Sequence, residues 1–248
     1  MASREVLVKN YMLSKGSSTK LCDKYLILWE PITRQNVSNR NRKCTKTDDL
    51  DYEFLYDTFK EHGFIIHLKN QTAASAHRSG GIAVCVRNDL DTHCRIINTD
   101  PKFVLWLSMG HDTVIDNQDL LLGCIYFPPE SSRYSRKDCF EEVENELVDI
   151  CAKKKYKVCF TGDFNSHTCN LNYFIAIDSF VADAVNMGFD AYDNLDAKHL
   201  LDVLGIPTQR TSMDVHKPNN FGYKLVEFCR NHELFIFNGR CGADQFKG

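Results

Sequence analysis

The stretch Lys157–Asn165 constrains the fold of this chain most strongly, because an apolar segment with strand preference leads into a glycine and two polar side chains. A buried strand that ends in this way brings a carboxylate, Asp163, and an amide, Asn165, to one edge of a sheet. An Asp can take a proton from water, and the second residue along an extended segment points the same way. The stretch therefore predicts a site that orients one water molecule. A strand followed by an Asx turn is the open alternative, because Asp and Asn are common in turns.

The totals suit one large α/β domain, since the chain has 248 residues of which 43% are hydrophobic and 25% are charged. The formal net charge of −3 excludes an overall basic footprint for nucleic acid, although a local patch stays open. Residues 1–44 contain nine Lys or Arg and three Asp or Glu, which leaves −9 for the remainder of the chain. We predict that 1–44 is a basic, poorly structured N-terminal segment.

The cysteines are typical of a reducing compartment, since the 11 of them form no C-x-x-C pair. Cys85, Cys124 and Cys159 lie in apolar runs, where we expect small buried side chains. No apolar run approaches the length of about 20 residues that a membrane span needs, so no membrane partner is expected. The cysteines favour an intracellular compartment, nuclear or cytoplasmic, and the sequence does not establish which.

Alternating and helical patterns predict a mixed α/β layered domain rather than a doubly wound parallel sheet. Strands are predicted at residues 25–29, 64–68, 82–86, 103–107, 120–126, 157–163 and 234–237. Helices are predicted over 51–62, over 140–150 after an apparent capping box from Ser135 to Asp138, and over 221–228. The strand pair 103–107 and 120–126 is expected to form a hairpin.

Six short motifs follow one another between residues 80 and 240 of the chain. They are Gly80-Gly81-Ile82-Ala83-Val84, Gly123-Cys124-Ile125-Tyr126-Phe127-Pro128-Pro129, Gly162-Asp163-Phe164-Asn165, Arg210-x-Ser212-x-Asp214, Asn220-x-Gly222 and Asn238-Gly239-Arg240. Together they resemble the endonuclease/exonuclease/phosphatase superfamily, the deoxyribonuclease-I-like fold. The closest resemblance is to the endonuclease domains attached to reverse transcriptases of non-LTR retrotransposons. The resemblance implies a partial domain over 45–248, with an incomplete four-layer α/β (α+β) sandwich of two mixed β-sheets flanked by helices.

The resemblance also implies roles for three residues and a divalent cation. Asp163 matches the superfamily's general base, or the residue that positions the attacking water. Asn165 matches the residue that orients this water and the scissile phosphate, and Tyr126 matches the one that hydrogen-bonds a phosphate oxygen. DNA is the implied partner and Mg²⁺ the implied cofactor. In-line attack at phosphorus needs an oriented water and donors for the oxygen charge, which agrees with these roles.

Three departures fall on the metal-binding half of the superfamily's site. Cys44 stands near the position of the family's metal-binding Glu, and a thiol is a poor ligand for a hard cation. An opening strand with a metal-holding Asn is not matched in 1–44, and the closing Ser-x-Ile-Asp-Tyr or Ser-Asp-His element does not occur before Gly248. We expect the Mg²⁺ ligands to be largely absent and the fold to be incomplete at both ends.

The sequence therefore predicts a protein of retroelement origin whose ancestral activity, metal-dependent hydrolysis of DNA phosphodiesters, is impaired. Two alternatives stay open: a non-catalytic remnant or binding module, and a phosphoesterase of the same fold acting on a small phosphorylated substrate. For Arg210 and its motif neighbours we expect a hydrogen-bond network at a helix N-terminus around Asn220. Arg78 is expected in a solvated loop.

Overall fold

A computed structural model describes residues 27–31, 56–57, 59–61, 63–70, 81–100, 103–113, 118–132, 135–171, 201, 205–207, 210 and 216–240. The chain divides into two compact units, Met1–Asn165 and Ser166–Gly248. The first unit contains two β-sheets and helices, so the predicted mixed α/β class is confirmed at this level.

The first sheet contains three antiparallel strands in the order β1-β3-β2. They are β1 (Ile27–Pro31), β2 (Phe64–Asn70) and β3 (Gly81–Arg87). The predicted strands at 64–68 and 82–86 are confirmed, and the short apolar run within the basic N-terminal segment forms β1 at the edge of this sheet. The central strand β3 is buried on both faces from Ile82 to Val86, as its unbroken apolar run indicates.

The second sheet contains four strands in the order β4-β5-β6-β7. They are β4 (Cys94–Ile97), β5 (Val104–Met109), β6 (Leu120–Tyr126) and β7 (Lys157–Asp163). The pair β5–β6 is antiparallel, as the predicted hairpin requires, and β6–β7 is parallel. A parallel pair needs a crossover, and helix α2 (Cys139–Lys153) supplies it, whereas the short helix α1 (Asn88–Asp91) leads from β3 to β4.

One apolar cluster lies between the two sheets. It combines alternate residues of the strands that face each other: Ile82, Val84, Val86, Leu105, Leu107, Met109, Leu120, Leu122 and Cys124. Cys159 of β7 and Tyr126 at the end of β6 pack against the same cluster. The two-residue period of a strand places one row of side chains in this cluster and leaves the next row for the outer face.

Helical residues cover both outer faces. On the three-stranded sheet, Ala83 and Cys85 pack with Tyr56 and Phe59, which belong to the described helical residues 56–57 and 59–61. On the four-stranded sheet, α2 buries Phe140, Val143, Leu147 and Ile150, the stripe that its sequence spacing predicts.

Two local predictions in this unit are wrong. Ser135 does not cap α2: the N-cap is Asp138, whose side chain makes no cap hydrogen bond and instead accepts from Arg136 Nε at 3.0 Å. Also, β7 is not buried, because all seven of its residues are partly exposed. The reason is its place in the sheet, since β7 has β6 as its one strand neighbour within the part of the chain that the structure describes.

The second unit contains helix α3 (Asn220–Asn231), which confirms the predicted final helix. The strand predicted at 234–237 is wrong, because these residues adopt no regular structure. The chain turns at Glu233, with φ of 53°, and the Leu234 N–H donates to the Cys229 carbonyl at 2.8 Å. Leu234 and Ile236 then pack on Val226 and Cys229 of α3, so contact with the helix replaces the expected sheet pairing.

Two of the three cysteines predicted to be buried are buried, Cys85 and Cys124. The prediction is wrong for Cys159, which is partly exposed because it belongs to β7. Burial raises the pKa of Cys159 to about 11, so this thiol stays neutral at physiological pH. Among the helices described, none is both long and apolar enough to cross a bilayer.

Candidate functional site

The candidate site lies where β6 and β7 end together. Tyr126 and Asp163 are register partners in this parallel pair, and each is the last residue of its strand. Backbone hydrogen bonds extend the pairing of β6 with both neighbours at this end. Tyr126 N donates to the Phe103 carbonyl, next to β5, at 3.0 Å, and Phe127 N donates to the Asp163 carbonyl of β7 at 2.9 Å. The parallel register thus brings two of the three predicted site residues side by side.

Asn165 joins them through a turn. Its backbone N–H donates to Asp163 Oδ1 at 2.8 Å, and its φ of 47° is in the left-handed region that Asn tolerates. This geometry is the Asx turn that the sequence left as the alternative to a site. The turn fixes the Asp163 carboxylate at the end of the strand, so it is compatible with a site at the same residues.

The side chain of Asn165 is committed to the neighbouring loop. Asn165 Nδ2 donates to the Phe127 carbonyl oxygen at 2.7 Å. Phe127 therefore binds the 163–165 segment twice, accepting from Asn165 and donating its N–H to the Asp163 carbonyl. These reciprocal bonds connect the loop after β6 to the turn after β7 and fix both ends of the site. One of the two Asn165 amide hydrogens is consequently used within the protein.

Gly162 allows this end of β7 to pair closely with β6. Its φ is 134°, a backbone conformation that residues with a side chain rarely adopt. A Cβ at this position would overlap the carbonyl oxygen of Ile125, its register partner. The glycine of the Gly-Asp-Phe-Asn motif is thus needed to set Asp163 beside Tyr126.

A group of aromatic rings packs around Phe127, next to the site. The fully buried Phe127 ring makes edge contacts with Phe103, Phe140 and Phe164, with centroid separations of 5.7, 4.7 and 5.6 Å. Phe164, which lies between Asp163 and Asn165, thus packs against α2 and against the loop after β6. Sequence reasoning identified the polar residues of both motifs and missed these two phenylalanines. The signal was present, because each Phe directly follows a predicted site residue.

Burial and charge both act on Tyr126. Two effects raise the pKa of the Tyr126 phenol above its usual value of 10.0. Burial is the larger effect, and the negative charge of Asp163 is the second. The phenol is therefore neutral at physiological pH and keeps its hydrogen as a donor. Tyr126 donates a hydrogen bond and Asp163 accepts one. The pair therefore suits a ligand in which an anionic oxygen lies near an acidic proton.

The metal-binding half of the site is not assembled by the residues described. Cys44 and Arg78 lie outside the described residues, so the structure gives no position for either. Across the described segments, no group of three or more His, Cys, Asp or Glu residues could hold a metal ion. Asp163 is the one carboxylate of the three predicted site residues. A hard divalent cation takes about six oxygen ligands, so this set of side chains does not fit it.

The Arg210 and Asn220 motifs contribute to a hydrogen-bond network in the second unit. The capping residue is Asn219 rather than Asn220: its Oδ1 accepts from Gly222 N at 2.7 Å and from His167 N at 3.0 Å. Arg210 Nη2 donates to Thr168 Oγ1 at 2.6 Å and to the Cys169 carbonyl. Ser212 and Asp214 lie outside the described residues. The predicted network at a helix N-terminus is therefore present, with its centre one residue earlier.

No family model matches the chain, and no curated protein matches it either.

Proposed function

We propose that this chain is an endonuclease/exonuclease/phosphatase domain of retroelement origin that retains the water-handling half of a phosphodiesterase site. The observation that carries the proposal is the register pairing of Tyr126 with Asp163, together with the Asn165 turn at the same strand end. These are the three residues that the motif resemblance selects, and they come from two separate motifs. Their meeting at one sheet edge supports a common role.

The proposed fold is the four-layer sandwich of that superfamily. Its support is the succession of contacts in the first unit. Helix α2 packs on the four-stranded sheet, and this sheet packs on the three-stranded sheet through the cluster that contains Val84 and Leu107. The three-stranded sheet packs in turn on the helical residues that include Tyr56 and Phe59. The site would then lie at the end of the inner sheets, where loops are free to bind a substrate.

In this proposal each residue has a separate task. The Asp163 carboxylate accepts the proton of a water molecule that attacks phosphorus. The Tyr126 phenol, which keeps its hydrogen at neutral pH, donates to an oxygen of the phosphate. Asn165 holds the Asp163 carboxylate in place through its backbone N–H and fixes the adjoining loop through its amide.

The proposal includes weak or absent catalysis in this chain. When bound, a divalent cation supplies positive charge at the phosphate oxygens and the leaving group, but the described side chains around Asp163 do not fit such an ion. A general base alone contributes about 10²–10⁴-fold. Enzymes that hydrolyse such bonds exceed the uncatalysed rate by at least about 10⁶-fold. Asp163, Tyr126 and Asn165 alone therefore fall short of useful phosphodiester hydrolysis.

A non-catalytic remnant that binds phosphate-containing ligands is the second candidate function. The observation that favours it is the Asn165 side chain, which donates to the Phe127 carbonyl at 2.7 Å and so acts as a structural contact. Both candidates predict that the full chain nicks supercoiled plasmid no faster than Asp163→Ala, the matched variant. Nicking that depends on Asp163 would contradict both and would identify a working nuclease.

A further inference from the structure

Glu146 is a buried carboxylate that the proposed chemistry does not use. It lies on the inner side of α2, only 8% exposed, and its Oε2 accepts a hydrogen bond from Trp106 Nε1 of β5 at 2.5 Å. Its other oxygen, Oε1, makes no hydrogen bond of regular geometry among the residues that the structure describes, and the Thr99 side chain acts on the carboxyl as a further donor. An ionised carboxylate that is buried in this way carries a large desolvation cost, which protonation removes.

A small set of polar groups faces this carboxylate from the surrounding elements. From β2 of the other sheet, Lys69 extends its amine to Thr99 after β4, donating to the carbonyl at 2.9 Å and to Oγ1 at 3.0 Å. The charge of Lys69 acts on Glu146 and on Asp100. Glu142, one turn earlier on α2, adds a second negative charge. Lys69 acts on Glu146 through its charge, and its amine donates its hydrogen bonds of regular geometry to Thr99 rather than to the carboxyl.

We propose that Glu146 forms a pH-sensitive contact between α2 and the four-stranded sheet. The contact stabilises the folded protein most when the carboxyl is protonated and less when it is ionised. The protonated form keeps the Trp106 bond to one oxygen and gives the other a hydrogen, so no buried negative charge remains. The proton comes from solvent and returns to it. The proposal is independent of the proposed phosphodiesterase site, because none of its residues belongs to that site.

The direction of the pH dependence follows from the burial. Desolvation raises the pKa of Glu146 above its usual 4.5, Glu142 adds to the increase, and Trp106, Thr99 and Lys69 oppose it without cancelling it. The folded state therefore holds this proton more tightly than the unfolded chain does. Its contribution to stability is complete below pH 4.5 and is lost as the pH rises through the folded-state pKa.

Other groups with shifted pKa values act outside this range. The Lys154 hydrogen bond is the main cause that lowers the pKa of Asp119 below 3.8, so its stabilising contribution is lost only at more acidic pH. Burial lowers the pKa of Lys69 from 10.5, and its effect on stability is confined to the alkaline side. Measurements from pH 4.5 to pH 8 thus isolate Glu146 when a matched variant is compared.

Glu146→Gln tests this contact, because glutamine retains an oxygen for the Trp106 N–H and removes the charge. At pH 8, the urea midpoint of Glu146→Gln in the full chain should equal or exceed that of the unmodified protein. The difference, variant minus unmodified, should decrease toward pH 4.5. Glu141→Gln, an exposed residue of the same helix, removes the same charge and should keep the pH profile of the unmodified protein.

Trp106 provides a second measurement that does not depend on the stability of the variant. The chain has two tryptophans, so Trp29→Phe leaves Trp106 as the single reporter. Its fluorescence should titrate between pH 4.5 and pH 8, and adding Glu146→Gln should abolish this titration. The proposal is overturned if Trp106 fluorescence in the Trp29→Phe protein is constant over this range, or if Glu146→Gln and the unmodified protein have parallel stability profiles.

Discussion

Tyr126 and Asp163 are register partners at the last position of two parallel strands, β6 and β7. Residues paired in this way project to the same face of a sheet, and Tyr126 packs against the cluster between the two sheets. A phenol and a carboxylate are thereby held at one strand end by backbone geometry alone.

The phenol of Tyr126 should titrate above pH 10, and Asp163→Asn should lower its pKa. Burial and the charge of Asp163 both raise this pKa, and burial is the larger cause. Removal of the charge should therefore bring the pKa only part of the way back toward 10.0. Titration of ¹³Cζ-labelled tyrosines by NMR measures it, with Tyr126→Phe to assign the signal. Asp149→Asn on the exposed side of α2 should leave the pKa unchanged. An equal lack of response to Asp163→Asn would show that the two residues are not neighbours.

Gly162→Ala should destabilise the first unit strongly. The new methyl group would overlap the Ile125 carbonyl, and the φ of 134° is strained for alanine. We expect a loss of more than about 2 kcal/mol in the free energy of unfolding, measured with urea. Gly63→Ala is the matched control, since Gly63 also has a positive φ, 81°, but has nothing within 4 Å of its Cβ position. That control should cost about 1 kcal/mol, and equal losses in the two variants would contradict the close contact.

Asn165→Gly and Asn165→Ala should separate the side-chain bond from the backbone conformation. Glycine accepts the φ of 47° and keeps the N–H that donates to Asp163, but loses the bond to the Phe127 carbonyl. We expect a cost of about 0.5–1.5 kcal/mol for that bond. Alanine should cost about 1 kcal/mol more, since the left-handed strain exceeds the entropy that glycine loses on folding. Urea unfolding tests both, and an alanine variant as stable as the glycine variant would disprove the left-handed turn.

The elements that the sequence predicts correctly are those whose pattern reflects local packing. The unbroken apolar run of β3 and the helical stripe of α2 each give enough signal to identify the element. The errors have a different origin. The run Leu234–Phe237 has strand preference, but it packs on α3, because tertiary contact decides whether an apolar segment pairs. Likewise, Asp138 rather than Ser135 is the N-cap of α2, and its carboxylate accepts from Arg136 instead of capping the helix.

The sequence predicts which polar residues form the candidate site, but it does not predict the residues that hold them in place. Asp163, Asn165 and Tyr126 were selected by motif resemblance, and the parallel register brings the strand ends together. Nothing in the sequence shows that the Phe127 carbonyl would accept from Asn165, because that bond depends on the relative position of two loops 38 residues apart in the chain. The role of the Phe127 ring also required the fold, since its partners Phe103, Phe140 and Phe164 come from three other segments.

A supercoiled-plasmid nicking assay with the full chain, in Mg²⁺ and separately in Mn²⁺, tests the central claim most directly. Asp163→Ala serves as the control for contaminating nuclease, and Cys44→Glu restores the carboxylate that the family has near that position. We predict that the unmodified chain nicks no faster than Asp163→Ala, and that Cys44→Glu alone gives no increase. One added carboxylate does not supply the several oxygen ligands that a divalent cation takes. Nicking by the unmodified chain that disappears in Asp163→Ala would contradict the account and identify a working endonuclease.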